Sequence, residues 1–347
     1  MTLDFQIKKG FGSDNHCGAH PKIAQAIIDC NKGHVPSYGT DELCERAIEV
    51  FKKNFGTRTQ VYFVFNGSAA NTLSLKALTQ SFNSVFCSDV SHIYNDECGA
   101  PEMIGHCKLI PLASQNGKIN LKTITEQYVR LGDQHSTQPK VISLTQPTEV
   151  GTVYSLKEIK EICDFAHSKN MYVHVDGARL PNAAVTLNCT FKELTTDLGV
   201  DVISFGGTKN GLVFGEAVLF LMPQLAQNFQ YIRKQCLQLP SKSRFVAAQF
   251  LALFEKELWR DNATYVTKLA QSLYQEVKDI KSIEVTEPVQ SNAVFIKMPK
   301  EYVKILRDKY FFYVWDEKTF ECRIMMSFDN TIEEIKDFAR LIRELEL

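Results

Sequence analysis

Between Val61 and Leu221, short runs dense in β-branched and aromatic residues alternate with stretches of helical rhythm, and this alternation restricts the chain to an α/β architecture. Val61–Phe65, Val85–Cys87, Lys140–Thr145, Met171–Asp176, Val200–Phe205 and Ala217–Leu221 read as strands. Ala69–Leu78 and Leu156–His167 read as helices between them, so the spacing predicts a mostly parallel or mixed sheet covered by helices. Upstream, Pro21–Ile28 has an apolar helical rhythm with proline suited to its first turn, and Gly39–Glu42 opens a second helix that Thr40 or Asp41 could cap. Past residue 245 the alternation stops. Phe245–Trp259 and Tyr265–Ile280 read as long helices, followed by a strand at Ala293–Ile296, a helix at Glu301–Lys309, strands at Phe311–Val314 and Cys322–Phe328, and an amphipathic helix over Thr331–Leu347. The expected division is an N-terminal arm and helix over 1–35, a large α/β domain over 36–249 and a small α+β domain over 250–347.

A chain of 347 residues with 44% apolar and 23% charged residues is long enough to bury a large core. Its formal charge of −1 supplies no basic surface for a nucleic-acid duplex and none for an acidic membrane. No apolar run approaches the roughly 20 residues needed to span a bilayer. Met1–Gln6 lacks a basic segment followed by an apolar one, so no secretory signal is expected. The ten cysteines are scattered without a CxxC pair, which suits reduced thiols in the cytoplasm.

Two strand ends carry the chemistry. His174-Val175-Asp176-Gly177-Ala178-Arg179 places an acid where the chain leaves one strand, and Ser204-Phe205-Gly206-Gly207-Thr208-Lys209 places a lysine just past another. In open α/β sheets the C-terminal strand ends form the ligand crevice. A carboxylate for a pyridine nitrogen and an amine for an aldehyde are the two anchors of pyridoxal 5'-phosphate chemistry. Asn66-Gly67-Ser68-Ala69-Ala70-Asn71 adds a small-residue turn running into a helix, whose free amides suit a phosphate. No GxxxxGK[ST] loop is present. Taken singly, Lys209 reads equally well as a surface residue and Asp176 as a helix cap.

His92 in Asp89–Tyr94 could lie against a cofactor ring or make one structural hydrogen bond, and Glu97 is near enough to join a polar network. Arg179 should stay near the pocket of Asp176, and Arg323, alone on an apolar strand, asks for an anionic partner; both suit a substrate carboxylate. His16 and His20 flank Cys17, but Gly18 and Pro21 interrupt a regular helix and no second ligand cluster follows, so no metal is expected. His34, Ser37 and Tyr38 could contribute to a pocket on a neighbouring subunit.

From Gly12 to Phe328 the chain resembles the threonine aldolase branch of the β-eliminating lyases, which are fold-type-I pyridoxal-phosphate enzymes. The most specific segment is His174-Val175-Asp176-Gly177-Ala178-Arg179-Leu180-Pro181-Asn182-Ala183, similar to the family's HVDGARLxNA pattern. Asp201–Phe205 followed by Thr208–Leu212 resembles the Schiff-base segment; Ser13-Asp14, Tyr38-Gly39-x-Asp41, Asn66–Asn71 and Ser91-His92-Ile93 match in character and order. The resemblance implies a mostly parallel seven-stranded sheet in the large domain, a smaller α+β C-terminal domain, and a homodimer or homotetramer with sites near subunit interfaces. It implies that Lys209 holds the cofactor as a Schiff base, Asp176 meets its ring nitrogen, Gly67 and Ser68 its phosphate, and His92 stacks on its ring and serves catalysis. Arg179 would contact cofactor and substrate, and Ser13 and Arg323 the substrate carboxylate. The implied reaction cleaves L-threonine or L-allo-threonine to glycine and an aldehyde. Alternatives are β-elimination, a bulkier β-hydroxy amino acid, or a catalytically silent assembly or regulatory protein.

The chain departs from the family where many members carry an ENTH-like segment. Here Thr145-Gln146-Pro147-Thr148-Glu149-Val150-Gly151 has no histidine, and His92, Glu97, Thr148, Glu149 or an ordered water remain as candidates to handle the β-hydroxyl proton. Gly206-Gly207 and Asn210 also depart from common forms of the lysine segment.

Overall fold

The computed structural model describes residues 9–346; the start of the expected N-terminal arm, residues 1–8, and Leu347 lie outside the described residues. Seven strands build the large sheet: β1 (Gln60–Val64), β2 (Asn83–Ser88), β3 (Lys108–Leu112), β4 (Gln138–Thr145), β5 (Tyr172–Gly177), β6 (Val202–Gly206) and β7 (Glu216–Phe220). Their order is β1-β7-β6-β5-β4-β2-β3. β7 runs antiparallel to both neighbours and the other pairs are parallel, as expected of a mostly parallel sheet in a fold-type-I enzyme. Every residue of β2, β6 and β7 is buried, which accounts for the apolar stretches at Val85-Phe86-Cys87, Val202-Ile203 and Ala217-Val218-Leu219-Phe220. β3 escaped the sequence reading. It is an edge strand buried only at Leu109 and Leu112, and the edge tolerates Pro111, which has no N–H to give a further neighbour.

A second, antiparallel sheet follows: β8 (Glu284–Val285), β9 (Ala293–Lys297), β10 (Tyr313–Asp316) and β11 (Glu321–Met325), ordered β10-β11-β9-β8. The helices Leu258–Val277 and Ile332–Glu346 lay their apolar faces on it, through Leu269, Leu273, Ile335 and Phe338 among others. The expected continuous helix Phe245–Trp259 is instead two helices, Arg244–Phe254 and Leu258–Val277. Lys256 and Glu257 between them adopt left-handed backbone with φ of 48° and 55°. The break turns Trp259 onto Phe191, with ring centroids 4.2 Å apart, so tertiary burial outweighs the local cost of two left-handed residues.

Phe11 is fully buried in the core of the second sheet; its N–H donates to the Phe311 carbonyl (2.7 Å), and its own carbonyl accepts from the Met325 N–H (2.8 Å). These contacts fix the segment that follows, Gly12–Asn15, beside the C-terminal ends of β5 and β6. No helix among the described residues is long and apolar enough to cross a membrane.

Candidate active site

Parallel register sets the floor of the site. Thr145 at the end of β4 lies opposite Asp176 on β5, and Asp176 lies opposite Ser204 on β6. Past these ends open a cleft of about 340 Å³ and a smaller cavity of about 50 Å³, and Gly67, His92, Asp176, Ala178 and Lys209 line both.

Asp176 is buried and its carboxylate is fixed from two directions: Oδ1 accepts the Ala178 N–H (3.0 Å) and Oδ2 accepts from Asn71 Nδ2 (2.7 Å). Asn71 sits on the helix Gly67–Leu78, and its second amide hydrogen goes to Glu97 Oε1 at 2.9 Å. The same Glu97 oxygen meets His92 Nδ1 at 2.9 Å. Against the ionised carboxylate, Nδ1 is the protonated nitrogen, which leaves Nε2 free. This hydrogen bond, against the opposing effect of burial, holds the His92 imidazole above the usual histidine range, while burial raises the Glu97 carboxyl.

Lys209 follows β6 in a short 3₁₀ turn, Thr208–Asn210. Burial, and then the charge of Arg179, depress its amine below the usual lysine range. Glu216, the first residue of β7, accepts the Gly207 N–H at 2.6 Å and is pushed up to about 7 by burial. That bond pins the Gly206-Gly207 turn ahead of the lysine. A Cβ on Gly206 would come within 2.2 Å of the Ala178 carbonyl oxygen, so glycine there permits the close approach of the β5 and β6 ends.

His174 points into the protein. It is wholly buried between Ser143 (2.9 Å) and Ser204 (2.9 Å), and burial drives its pKa down to about 4, so it is a neutral structural ring. Arg179 is engaged by Asp14 through two parallel bonds, Nε–Oδ2 at 2.6 Å and Nη2–Oδ1 at 2.9 Å. Arg323 stacks on Trp315 and donates Nη2 to the Gly12 carbonyl (3.1 Å); burial and the neighbouring Arg179 press it down to about 10. Its Nε is buried without a partner among the described residues. Ser13 accepts the Asn15 N–H (3.1 Å), and Asn15, rather than Ser13 or Arg323, lines the cleft. His20 caps the helix Pro21–Cys30 by accepting the Lys22 N–H, and His16 packs near Phe311 and Tyr313.

Asn66 caps the helix Gly67–Leu78 by accepting the Ala69 N–H at 2.9 Å, so the first-turn amides of Gly67 and Ser68 have no intrahelical partner. A Cβ built on Gly67 would meet nothing within 4 Å: the cleft is open over those amides. An anion-binding helix start, a buried carboxylate and a depressed lysine amine around one cleft fit pyridoxal 5'-phosphate by the chemistry of the donor set.

The sequence pattern of the β-eliminating lyase family matches residues 10–300. The low specificity L-threonine aldolase of Pseudomonas aeruginosa is 39% identical over 338 residues, 96% of each chain. The enzyme of that name from a second Pseudomonas strain is 40% identical over the same length, again covering 96% of both. The chain belongs to the threonine aldolase family of the β-eliminating lyases. The structure of a threonine aldolase from Leishmania major superposes with a TM-score of 0.93 at 25% identity, covering 98% of this chain and all of that one. As a member of this fold-type-I family, the chain is an enzyme of pyridoxal 5'-phosphate.

Asn71, Asp14 and Glu216 hold the site in place, and sequence reasoning assigned them no role. A polar side chain within the buried helical run Ala70–Leu75 was the available signal for Asn71. Asp14 stood out only within the Ser13-Asp14 pair that resembles the family, and Glu216 gave no signal, because their partners are not set by local pattern.

Proposed function

We propose that this enzyme cleaves a threonine-like β-hydroxy-α-amino acid to glycine and an aldehyde, with Lys209 as the residue that carries the cofactor. The observation behind this reading is the convergence of Lys209, the twice-anchored Asp176 and the open amides of Gly67 and Ser68 on one cleft. When bound, pyridoxal phosphate supplies an aldehyde that condenses with amines and a ring that draws electrons from Cα.

The Gly67 and Ser68 amides would hold its phosphate, and the carboxylate of Asp176 would favour a proton on its ring nitrogen. The depressed amine of Lys209 has a larger neutral, nucleophilic fraction than an exposed lysine would. His92, its orientation fixed through Glu97, would cover the ring face. Asp14 occupies Nε and Nη2 of Arg179, leaving Nη1 for the substrate carboxylate. Ser13 and Arg323 lie outside the cleft lining, but Arg323 is beside Arg179 with its Nε unpartnered among the described residues, so these two would reach the carboxylate from behind that end of the site. Fixing the carboxylate sets the rotation about the Cα–N bond, and so which bond to Cα is aligned for cleavage.

The half-exposed Phe65 and Phe214 leave an apolar rim on the cleft, which suits closure by a second copy of the chain in a homodimer or homotetramer. All ten cysteines are free, which suits the reducing cytoplasm.

Product analysis of holoenzyme with L-threonine and with L-allo-threonine tests the reading. Glycine and acetaldehyde in equal amounts are expected; a keto acid with ammonia, from these substrates or from serine, would replace aldol cleavage by β-elimination.

A further inference from the structure

We infer that the carboxylate of Glu149 is the base that takes the proton from the substrate's β-hydroxyl, an inference that rests on the aldol-cleavage reading above. Glu149 lies on the loop after β4. Its Oε1 accepts two hydrogen bonds, from the His92 backbone N–H (2.8 Å) and from the Thr145 hydroxyl (2.8 Å). Its Oε2 is buried and has no partner among the described residues. Glu149 lines the small cavity together with Asp176, Lys209, His92 and Arg179. A buried carboxylate oxygen left without a donor is unfavourable in the free protein and becomes satisfied when a ligand hydroxyl donates to it. A cavity of about 50 Å³ has room for such a hydroxyl.

The other candidates make contacts that assign them other tasks. Thr148 is buried, shares a hydrogen bond with the Thr152 hydroxyl (2.7 Å) and accepts the Thr152 N–H (3.2 Å). Glu97 also has an Oε2 without a partner among the described residues, but its Oε1 holds both Asn71, the donor to Asp176, and His92 Nδ1, which gives this carboxylate a positioning task. His92 has Nδ1 engaged by Glu97, which orients the ring for the cofactor-facing role proposed above.

Around Glu149 stand Asp176 and Arg179 at the end of β5, Lys209 past β6, His92 and Glu97 across the cavity, Cys87 on β2, and Tyr154. Burial outweighs the two hydrogen bonds to Oε1 and, with the negative charge of Asp176 adding to it, raises the carboxyl to about 7, a basicity matched to proton transfer at neutral pH. In the step, the hydroxyl proton passes to Oε2, the O–H electron pair becomes the second carbonyl bond of the aldehyde, and the Cα–Cβ pair stays with Cα. A proton then adds to Cα to give glycine, and Glu149 gives up the proton it took, so protons balance over the cycle.

The test uses Glu149→Gln holoenzyme. We expect kcat for L-threonine to fall by about 10²–10⁴-fold, with KM within about 3-fold and the acidic limb near pH 7 gone from the kcat/KM profile. The cofactor absorbance and the exchange of glycine's α-proton with solvent, which need no β-hydroxyl base, should be retained. A kcat within about 5-fold of wild type, or an unchanged acidic limb that His92→Asn removes instead, overturns the inference while leaving the reaction intact. Should Glu149→Gln not fold, the wild-type enzyme decides. Cleavage that depends on a group titrating near 7 while glycine exchange does not supports Glu149; a limb common to both, or none, overturns it. Wild-type holoenzyme that yields no glycine from either threonine overturns the underlying reading as well.

Discussion

Arg179 and Asp14 form a bidentate ion pair between the end of the central strand β5 and the N-terminal segment, with Asp14 almost wholly buried. Burial alone would raise the Asp14 carboxyl, but the charge and hydrogen bonds of Arg179 outweigh it and hold it below the usual carboxylate range. The pair ties the segment anchored on the second sheet to the catalytic cleft. Asp14→Ala strands a buried guanidinium, and we expect it to destabilise the apoenzyme by about 3–5 kcal/mol, measured by urea denaturation. The contribution of Asp14 is present above its unfolded pKa and is lost as pH falls through the lower folded value. The gap between wild type and variant should therefore close in acid.

Asn71→Leu removes the donor that separates the carboxylates of Asp176 and Glu97. The expected cost is about 1–3 kcal/mol of stability, together with weaker cofactor binding, read by titrating apoenzyme with pyridoxal phosphate.

The His92–Glu97 contact makes a pH-dependent contribution. Because the folded His92 pKa is raised, the stabilisation is complete below the unfolded histidine pKa and disappears as pH rises through the folded value. Thermal unfolding of wild type and Glu97→Gln should differ more at pH 6 than at pH 9; equal differences would show that the contact holds no excess proton.

Lys209→Ala should abolish the borohydride-reducible link to the cofactor, detectable as the missing mass of a reduced adduct. Retention of that adduct would move the attachment to another amine.

Arg323→Ala should raise KM for L-threonine by about 10-fold or more, as expected for losing a charge-assisted contact worth roughly 1.5–3 kcal/mol. Steady-state kinetics check this, and an unchanged KM would remove Arg323 from carboxylate binding.

The strands that frame the cleft were legible because their local composition is decisive. Buried parallel strands read as mainly apolar runs, and Asp176 near the end of β5 and Lys209 three residues past the end of β6 mark the crevice end of the sheet. The helix Gly67–Leu78 was readable from Ala69 onward, two residues past its start, because a cap and small residues act within one turn. β3 and the break at Lys256–Glu257 were not, since an edge position tolerates a proline and tertiary packing of Trp259 overrides helical rhythm.

By itself, then, the sequence determined the α/β class and the family, and it singled out Lys209 and Asp176 as the proposed anchors for the cofactor. These follow from local pattern and from motifs contiguous in the chain. Only the tertiary structure decided that Asn71 links Asp176 to Glu97, that Asp14 holds Arg179, and that Glu149 keeps one oxygen free in the cavity. Hydrogen bonds act over about 3 Å, and which distant residues come that close is settled by sheet order and packing, which no local pattern encodes.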